Sequence, residues 1–326
     1  MKKTAKKFDL NETITNKFIK ALEQGTAPWT KPWITSYGSD YCSTKHSHIN
    51  FTTGTAYRGI NTMILDLECH LQDFSTGQWA SFKQISAKGG KILKGSKSTQ
   101  VIFWSVTILE KNPDGTLGKK IITKTPEQKR EADKLVRQGK AVKIFKDHYY
   151  NVFNIEQTDL FDESKVVKSE PINAGDLICG DQESEDLIDD YIERESIKIN
   201  LQGKQSRCFY TPSQDYIEIV PQDDFKSTGE YYHTIFHEMA HSTGHEDRLN
   251  RLESAGFGSD PYAREELVAE ITASFLSNRV GLLNTSLFAN SQAYCNSWAS
   301  QLKKDKKLIF KASQEAQKAF DLIINA

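Results

Sequence analysis

The chain has 326 residues, of which 38% are hydrophobic and 26% charged, with five cysteines, eight histidines and a net charge of −1. This balance describes a soluble globular chain long enough for two domains, not a disordered or membrane one. The basic start MKKTAKKFDLNETITNKF has no apolar run behind it, and no later stretch approaches the roughly eighteen apolar residues of a membrane span, so a cytoplasmic protein with no membrane partner is expected. Cys42, Cys69, Cys179, Cys208 and Cys295 lie far apart without a CxxC pair, which indicates neither a disulfide framework nor a thiolate zinc knuckle. Divided after Ile155, the chain carries 25 Lys+Arg against 13 Asp+Glu in its first part, net +12, and 17 against 30 in its second, net −13. The first part is therefore a candidate polyanion binder, because cations facing phosphates gain by releasing condensed counterions; an ordinary solvated surface is the alternative.

In chain order, Asp9 and Glu12 form a capping-box pattern, and Ile14, Phe18, Ala21 and Leu22 follow at helical spacing until Gly25 stops them. APWTKPWI takes an extended path through its two Pro-Trp pairs, and NFTTGTAYRGIN is a turn-rich loop leading into the apolar NTMILDL. KGGKILKGSKST spaces lysines 88, 91, 94 and 97 among glycines, but Ser96 stands where a P-loop needs its lysine, which excludes that route to nucleotide hydrolysis. VIFWSVTILE alternates Ile102, Trp104, Val106 and Ile108 on one face of a half-buried strand, with Trp104, Phe103 and Phe153 expected in the core. PEQKREADKLVRQG reads as a charged, exposed helix, followed by a second strand region at 141–155. Residues 156–193 hold 13 acidic residues and two lysines. The expected division is a first domain at 1–155, an acidic linker at 156–183 and a second domain at 184–326, helical after short strands at RCFYTP and DYIEIVP.

The second domain contains HTIFHEMAHSTGHEDRLN. Ser227 and Glu230 cap a helix that Gly244 stops, with Tyr232, Ile235, Phe236 and Met239 on one side and His237 and His241 on the other. Two imidazoles at i and i+4 reach one ion, and Glu238 is placed as the general base beside it. HEMAH alone recurs by chance on ordinary amphipathic helices. The cap, the opposed apolar face and the upstream strand DYIEIV, expected at the edge where an extended peptide pairs, argue for a real site.

A catalytic zinc takes three protein ligands. His245 falls past the helix stop and is expected to support rather than bind, whereas Asp247 fits a metzincin-like H-E-x-x-H-x-x-G-x-x-D spacing. The helix opened by Asp260 and Pro261 carries Glu266 and Glu270, with Glu265 expected to face solvent. ELVAEITASFL resembles the E-x-x-x-D segment of the thermolysin-like gluzincins, and that resemblance implies Glu266 as the third ligand and Glu270 as the group that orients a ligand histidine. Glu stands where that family has Asp, so Glu270 and Asp247 stay open as ligands. The chemistry expected is zinc-assisted peptide hydrolysis, with Tyr262, Tyr231 or His245 as the donor to the oxyanion.

Trp29, Trp33, Trp79 and Trp104 are interleaved with lysines in the basic part, a composition suited to stacking on single-stranded bases. FIKALEQGTAPWTKPW, TGTAYRGIN, WASFKQISAKGGKILKGSKSTQVIFW, YNVFNIEQ, YYHTIFHEMAHSTGHEDRLNR and YAREELVAEI together resemble, in order and over nearly the full length, the ArdC-type antirestriction proteins. The resemblance implies an α+β protein, in which an N-terminal domain that binds single-stranded DNA is joined to a C-terminal zincin-like, gluzincin-type metallopeptidase domain holding one zinc. It places Trp29, Trp33, Arg58, Asn61, Lys83, Lys91 and Lys97 on the DNA side. It further implies protection of incoming mobile-element DNA from host restriction, with single-stranded DNA and an unidentified, DNA-bound or restriction-related protein as partners. The alternative is a non-catalytic DNA-masking protein whose zinc is structural or idle; an intact Glu238 favours catalysis.

Overall fold

The computed structural model describes residues 10–25, 27, 29, 35–37, 48–162, 166–168, 180–204, 207–252, 260–282 and 292–325. Its elements are α1 (Leu10–Glu23), β1 (Thr35–Tyr37), β2 (Ile49–Asn50), α2 (Ile60–Gln72), β3 (Gln78–Ser81), α3 (Phe82–Ala87), β4 (Thr99–Lys111), β5 (Leu117–Ile121), α4 (Pro126–Arg137) and β6 (Ala141–Asn154). They continue with β7 (Val166–Lys168), α5 (Gly180–Glu195), β8 (Lys198–Asn200), β9 (Phe209–Thr211), β10 (Tyr216–Glu218), α6 (Thr228–Ser242), α7 (Asp260–Arg279), α8 (Gln292–Lys304) and α9 (Leu308–Ile323). The α+β class is as expected. Among the described residues no helix is long and apolar enough to cross a membrane.

The chain folds as two compact units, one of residues 97–152 and one containing the residues before and after them. Helices from both ends of the chain pack together in the larger unit. There α1 lies on α8, Thr15 Oγ1 donates to the Lys306 carbonyl at 2.7 Å, and Lys306 Nζ donates to Asn16 Oδ1 at 2.7 Å. The loop before α2 is held to α9 in the same way: the Arg58 guanidinium binds the Asp321 carboxylate, and the Gly59 amide donates to Gln317 Oε1 at 2.7 Å. Within the N-terminal part, Trp79 Nε1 donates to His48 Nδ1 at 3.1 Å, which leaves His48 Nε2 to donate to buried Asp66 Oδ1 at 2.8 Å and fixes the histidine tautomer.

Helix α7 forms the centre of the larger unit, packed on α6, α8 and α9. Leu267, Val268, Ala269, Ile271, Ala273, Phe275 and Leu276 are all buried, and a helix apolar on every side needs neighbours on every side. Beside α6 sits a three-stranded sheet of order β8-β10-β9. Strand β10 runs parallel to β8 and antiparallel to β9. DYIEIV therefore supplies the central strand, not the edge expected of it, and β9 takes an edge. Burial explains the choice, since Ile217 and Ile219 are fully enclosed.

In the smaller unit, α4 begins with a capping box between Thr125 and Gln128 and packs Ala132, Leu135 and Val136 around Ile108, Ile121 and Ala141. Strands β4 and β6 pair antiparallel from Thr99↔Val152 to Glu110↔Ala141, while β5 joins β4 only from Ile108 onward. The expected half-burial of β4 holds at Ile102 and Ile108 but fails at Val106, which is 45% exposed. Phe103, expected in the core, is 54% exposed on the opposite face of the strand from Ile102 and Val106. The side chain of Trp104 lies outside the described residues, and Phe153 is half-buried.

Candidate metal centre

Helix α6 starts where Ser227 Oγ accepts the Glu230 amide hydrogen at 3.2 Å, and it buries Tyr232, Ile235, Phe236 and Met239. The opposite side carries His237 and His241, and Glu266 reaches them from α7. His237 Nε2 lies 3.1 Å from His241 Nε2 and 3.6 Å from Glu266 Oε2, and His241 Nε2 lies 3.4 Å from Glu266 Oε1. For metal–ligand bonds of about 2.0–2.1 Å, the edge of a coordination tetrahedron is about 3.4 Å. Three donors are thus already spaced for one small cation.

The other nitrogen of each imidazole is occupied. His237 Nδ1 is 3.4 Å from Glu270 Oε2, and His241 Nδ1 is 3.2 Å from Glu265 Oε1. A carboxylate on Nδ1 keeps its proton there and turns the Nε2 lone pair towards the centre, the arrangement a ligand histidine needs. Glu270 thus stands at Nδ1 of His237, the position that the gluzincin resemblance implies for an orienting group. It also faces His233 Nε2 at 3.6 Å, while His233 Nδ1 contacts Ser277 Oγ at 3.0 Å.

Glu265 does not face solvent. Its carboxylate receives Arg251 Nε and Nη2, each at 2.8 Å, and Arg251 Nη2 also donates to the Ala240 carbonyl at 2.8 Å. The alternative ligands stand apart: Asp247 is 83% exposed on its side chain and pairs with His245 at 3.5 Å. His245 lines a separate depression with Lys198, Pro212 and Tyr216.

A cleft of about 590 Å³ opens over the cluster, lined among others by Glu238, Phe209 and Tyr210 of β9, Tyr262, Leu308 and Ala312. Of the oxyanion candidates, Tyr262 lines this cleft, whereas Tyr231 is buried with its ring against Phe225 and Tyr232. Arg248 anchors the chain leaving α6, donating from Nη1 to Asp215 Oδ2 at 3.0 Å and from Nε to the Ser242 carbonyl at 2.7 Å. Sequence reasoning missed His233, Arg251 and the cleft face of β9. Only His233 had a visible signal, since it continues the four-residue spacing backwards from His237.

Without metal, burial opposes protonation of both histidines, but their carboxylate partners outweigh it. Glu266 and Glu270 hold His237 well above the ordinary range, and Glu265 with Glu266 brings His241 up to about 9. Burial likewise opposes ionisation of Glu266 and Glu270, yet the histidines hold both carboxyls well below their usual range. Glu265 is lowered against its burial by Arg251 and His241. Depressed carboxyls stabilise the fold fully above their unfolded value of about 4.3 and lose that contribution as pH falls. Raised histidines stabilise fully below about 6.5 and lose that contribution as pH rises through about 9 for His241. Chelator-treated protein is therefore expected to melt highest between about pH 4.5 and 6.5. Thermal melts from pH 3 to 10 check this, and a melting temperature unchanged from pH 5 to 9 would contradict it.

The DNA-side residues fare unevenly. Trp29 is fully buried, its ring edge-on to Trp298 of α8 with centroids 5.4 Å apart, so it is a core residue and not a stacking platform. Trp29→Ala is expected to cost about 3–5 kcal/mol of stability through the cavity it leaves, with DNA affinity of the folded fraction unchanged, as chemical denaturation and DNA titration would show. Trp33 lies outside the described residues. Arg58 is exposed but engaged by Asp321, and Asn61 stands half-buried in the first turn of α2. Lys83, Lys91 and Lys97 are exposed. The backbone around Lys91 is fixed by Asp159, whose carboxylate accepts the Lys91 amide at 2.6 Å.

Residues 8–153 match the family described as the N-terminal domain of anti-restriction factor ArdC, and residues 186–315 match a zincin-like metallopeptidase family. The crystal structure of the antirestriction ArdC protein from plasmid R388, solved metal-free, superposes with a TM-score of 0.70 at 31% identity, covering 98% of this chain and 97% of that one. Its Mn(II)-bound form gives 0.68, covering 98% of each. A DNA primase TraC of Escherichia coli is 30% identical over 98% of this chain, which spans only 27% of that relative's length. An uncharacterized protein y4eC of Sinorhizobium fredii is 25% identical over 96% of this chain and 91% of its own. With an ArdcN domain followed by a zincin-like domain, a fold shared along its whole length and 31% identity to a solved member, the chain belongs to the ArdC family of antirestriction proteins.

Proposed function

We propose that this protein binds single-stranded DNA and acts as a zinc-dependent peptidase, protecting incoming mobile-element DNA from restriction in the cytoplasm. The observation that carries the peptidase reading is the spacing of His237, His241 and Glu266, at 3.1–3.6 Å, with Glu238 in the wall of the same cleft. A zinc bound there would polarise a peptide carbonyl and lower the pKa of a water molecule. Glu238 takes the proton of the attacking water and passes it to the departing amine. Tyr262 is a cleft residue suited to donate to the developing oxyanion, and β9, an edge strand among the described residues, is suited to pair with an extended peptide.

The DNA reading rests on the net charge of +12 in residues 1–155 and on the family. The names of the relatives, an R388 plasmid protein and a DNA primase, agree with a role in DNA transfer. The test is twofold. Purified protein should contain about one zinc per chain, and it should bind an oligonucleotide with affinity that falls steeply as salt rises, by a log–log slope of about 0.7 per phosphate contact. Absence of zinc would remove the peptidase reading, and salt-insensitive or absent binding would remove the DNA reading.

A further inference from the structure

The unit of residues 97–152 holds 12 Lys+Arg against 6 Asp+Glu, a net charge of +6. Its two ends differ. Where β5 and α4 cover β4 and β6, Ile108, Ala132 and Ala141 form a small core. Between Val101 and Thr107, β4 is paired with β6, and large side chains stand in the open: Phe103, Tyr149 and Tyr150 are each more than half exposed.

The register sorts them by face. Phe103 lies opposite His148, Ser105 opposite Lys146 and Val101 opposite Tyr150, so Phe103, Ser105, Lys146, His148 and Tyr150 share one side of the pleat. Phe103 and Tyr150 are diagonal neighbours in edge-to-face contact, with centroids 6.0 Å apart and planes at 68°. His148 Nε2 meets Ser105 Oγ at 2.9 Å, and Ser105 Oγ donates to the Lys146 carbonyl at 3.3 Å, which stiffens the strands beneath the rings.

We propose that this ribbon face is the seat of single-stranded DNA, with unpaired bases stacked on Phe103 and Tyr150 and phosphates held near Lys146. The proposal rests on the DNA-binding reading above and gives it a location other than Trp29, which is buried. Exposed rings on a strongly basic unit suit a polyanion with accessible π-faces. A duplex keeps its base faces stacked inside, and an uncharged apolar partner would gain nothing from Lys146 or from the net positive charge of the unit. Stacking of this kind tolerates any sequence, as a protein meeting arbitrary incoming DNA requires.

The test uses the full chain and a fluorescein-labelled oligo-dT of about twenty nucleotides, enough to span a site of the usual ~4–16, titrated by anisotropy at several salt concentrations. Phe103→Ala/Tyr150→Ala is expected to weaken binding at least about tenfold, since each stacked base contributes about 5- to 150-fold. The salt slope should stay as in the parent, because no phosphate contact is lost. Lys146→Ala should weaken binding less and make the slope shallower by about 0.7. Phe103→Tyr/Tyr150→Phe should bind as the parent does, and Phe103→Leu/Tyr150→Leu, which keeps apolar bulk without the rings, should bind as weakly as the alanine pair.

A parent that binds while the alanine or leucine pair binds equally well overturns the location and leaves the DNA reading standing. A parent that does not bind oligo-dT overturns both. A parent that is dimeric and dissociates in the leucine pair assigns the face to a second copy of the chain and also overturns the proposal.

Discussion

Replacing both candidate ligand histidines, His237→Ala/His241→Ala, is expected to leave purified protein without bound zinc where the parent carries about one per chain. Two of the three donors then disappear, and Glu266 alone offers no closed coordination. Glu265, Glu266 and Glu270 also lose the imidazoles that hold their charge, so the variant should melt lower than the parent even before metal is added. The diagnostic readout is therefore the response to zinc. At a free concentration a thousandfold above its dissociation constant, zinc stabilises the parent by about 4 kcal/mol, and the double variant should show no rise at all. Glu265→Gln provides a graded control. It keeps the shape of the contact to His241 and removes the charge paired with Arg251, and loss of an orienting carboxylate typically weakens metal binding by about 10- to 100-fold. Full zinc occupancy in the double variant would mean that the metal sits elsewhere.

The parts of this site that were legible in the sequence are those set by local geometry. His237 and His241 lie four apart on a helix whose start is written in Ser227 and Glu230 and whose buried face is written in Tyr232, Ile235, Phe236 and Met239. Glu266 follows from the resemblance to a motif on a second helix, where phase is likewise local. Misreadings arose where a residue's surroundings come from far along the chain. Glu265 looks solvent-facing on α7 because it is adjacent to Glu266 in sequence, yet Arg251 and His241 converge on it from α6 and the segment after it. Trp29 sits in a proline-rich stretch with the composition of an exposed loop, but Trp298, on the last helical pair, closes over it. Alternation in DYIEIV reports burial of Ile217 and Ile219 without telling how many strands flank them, and β8 and β9 together make it central. Phe103 and Val106 fail in the opposite direction: both are apolar residues of a strand, yet they lie on opposite faces of β4 and stand exposed away from the small core that α4 forms at Ile108.

Glu238→Gln is expected to separate the chemical role of the site from its structural one. The side chain keeps its size and lines the cleft without being one of the three converging donors, so zinc content and melting temperature should match the parent. The amide has no basic oxygen for the proton of the attacking water, and loss of a positioned general base typically lowers turnover by about 10²- to 10⁴-fold. Its effect in a restriction-protection assay, beside His237→Ala/His241→Ala and Phe103→Ala/Tyr150→Ala, decides between the two functional readings. If peptide hydrolysis drives protection, Glu238→Gln should fail to protect while still holding zinc and DNA. If masking of DNA suffices, Glu238→Gln should protect as the parent does, and only weakened DNA binding should abolish protection. Protection retained by Glu238→Gln but lost with the histidines would make the metal a structural support. The location of Glu238 argues against that outcome: a purely structural zinc is closed by four protein ligands, whereas here three donors converge beneath an open cleft and a buried carboxylate stands in its wall.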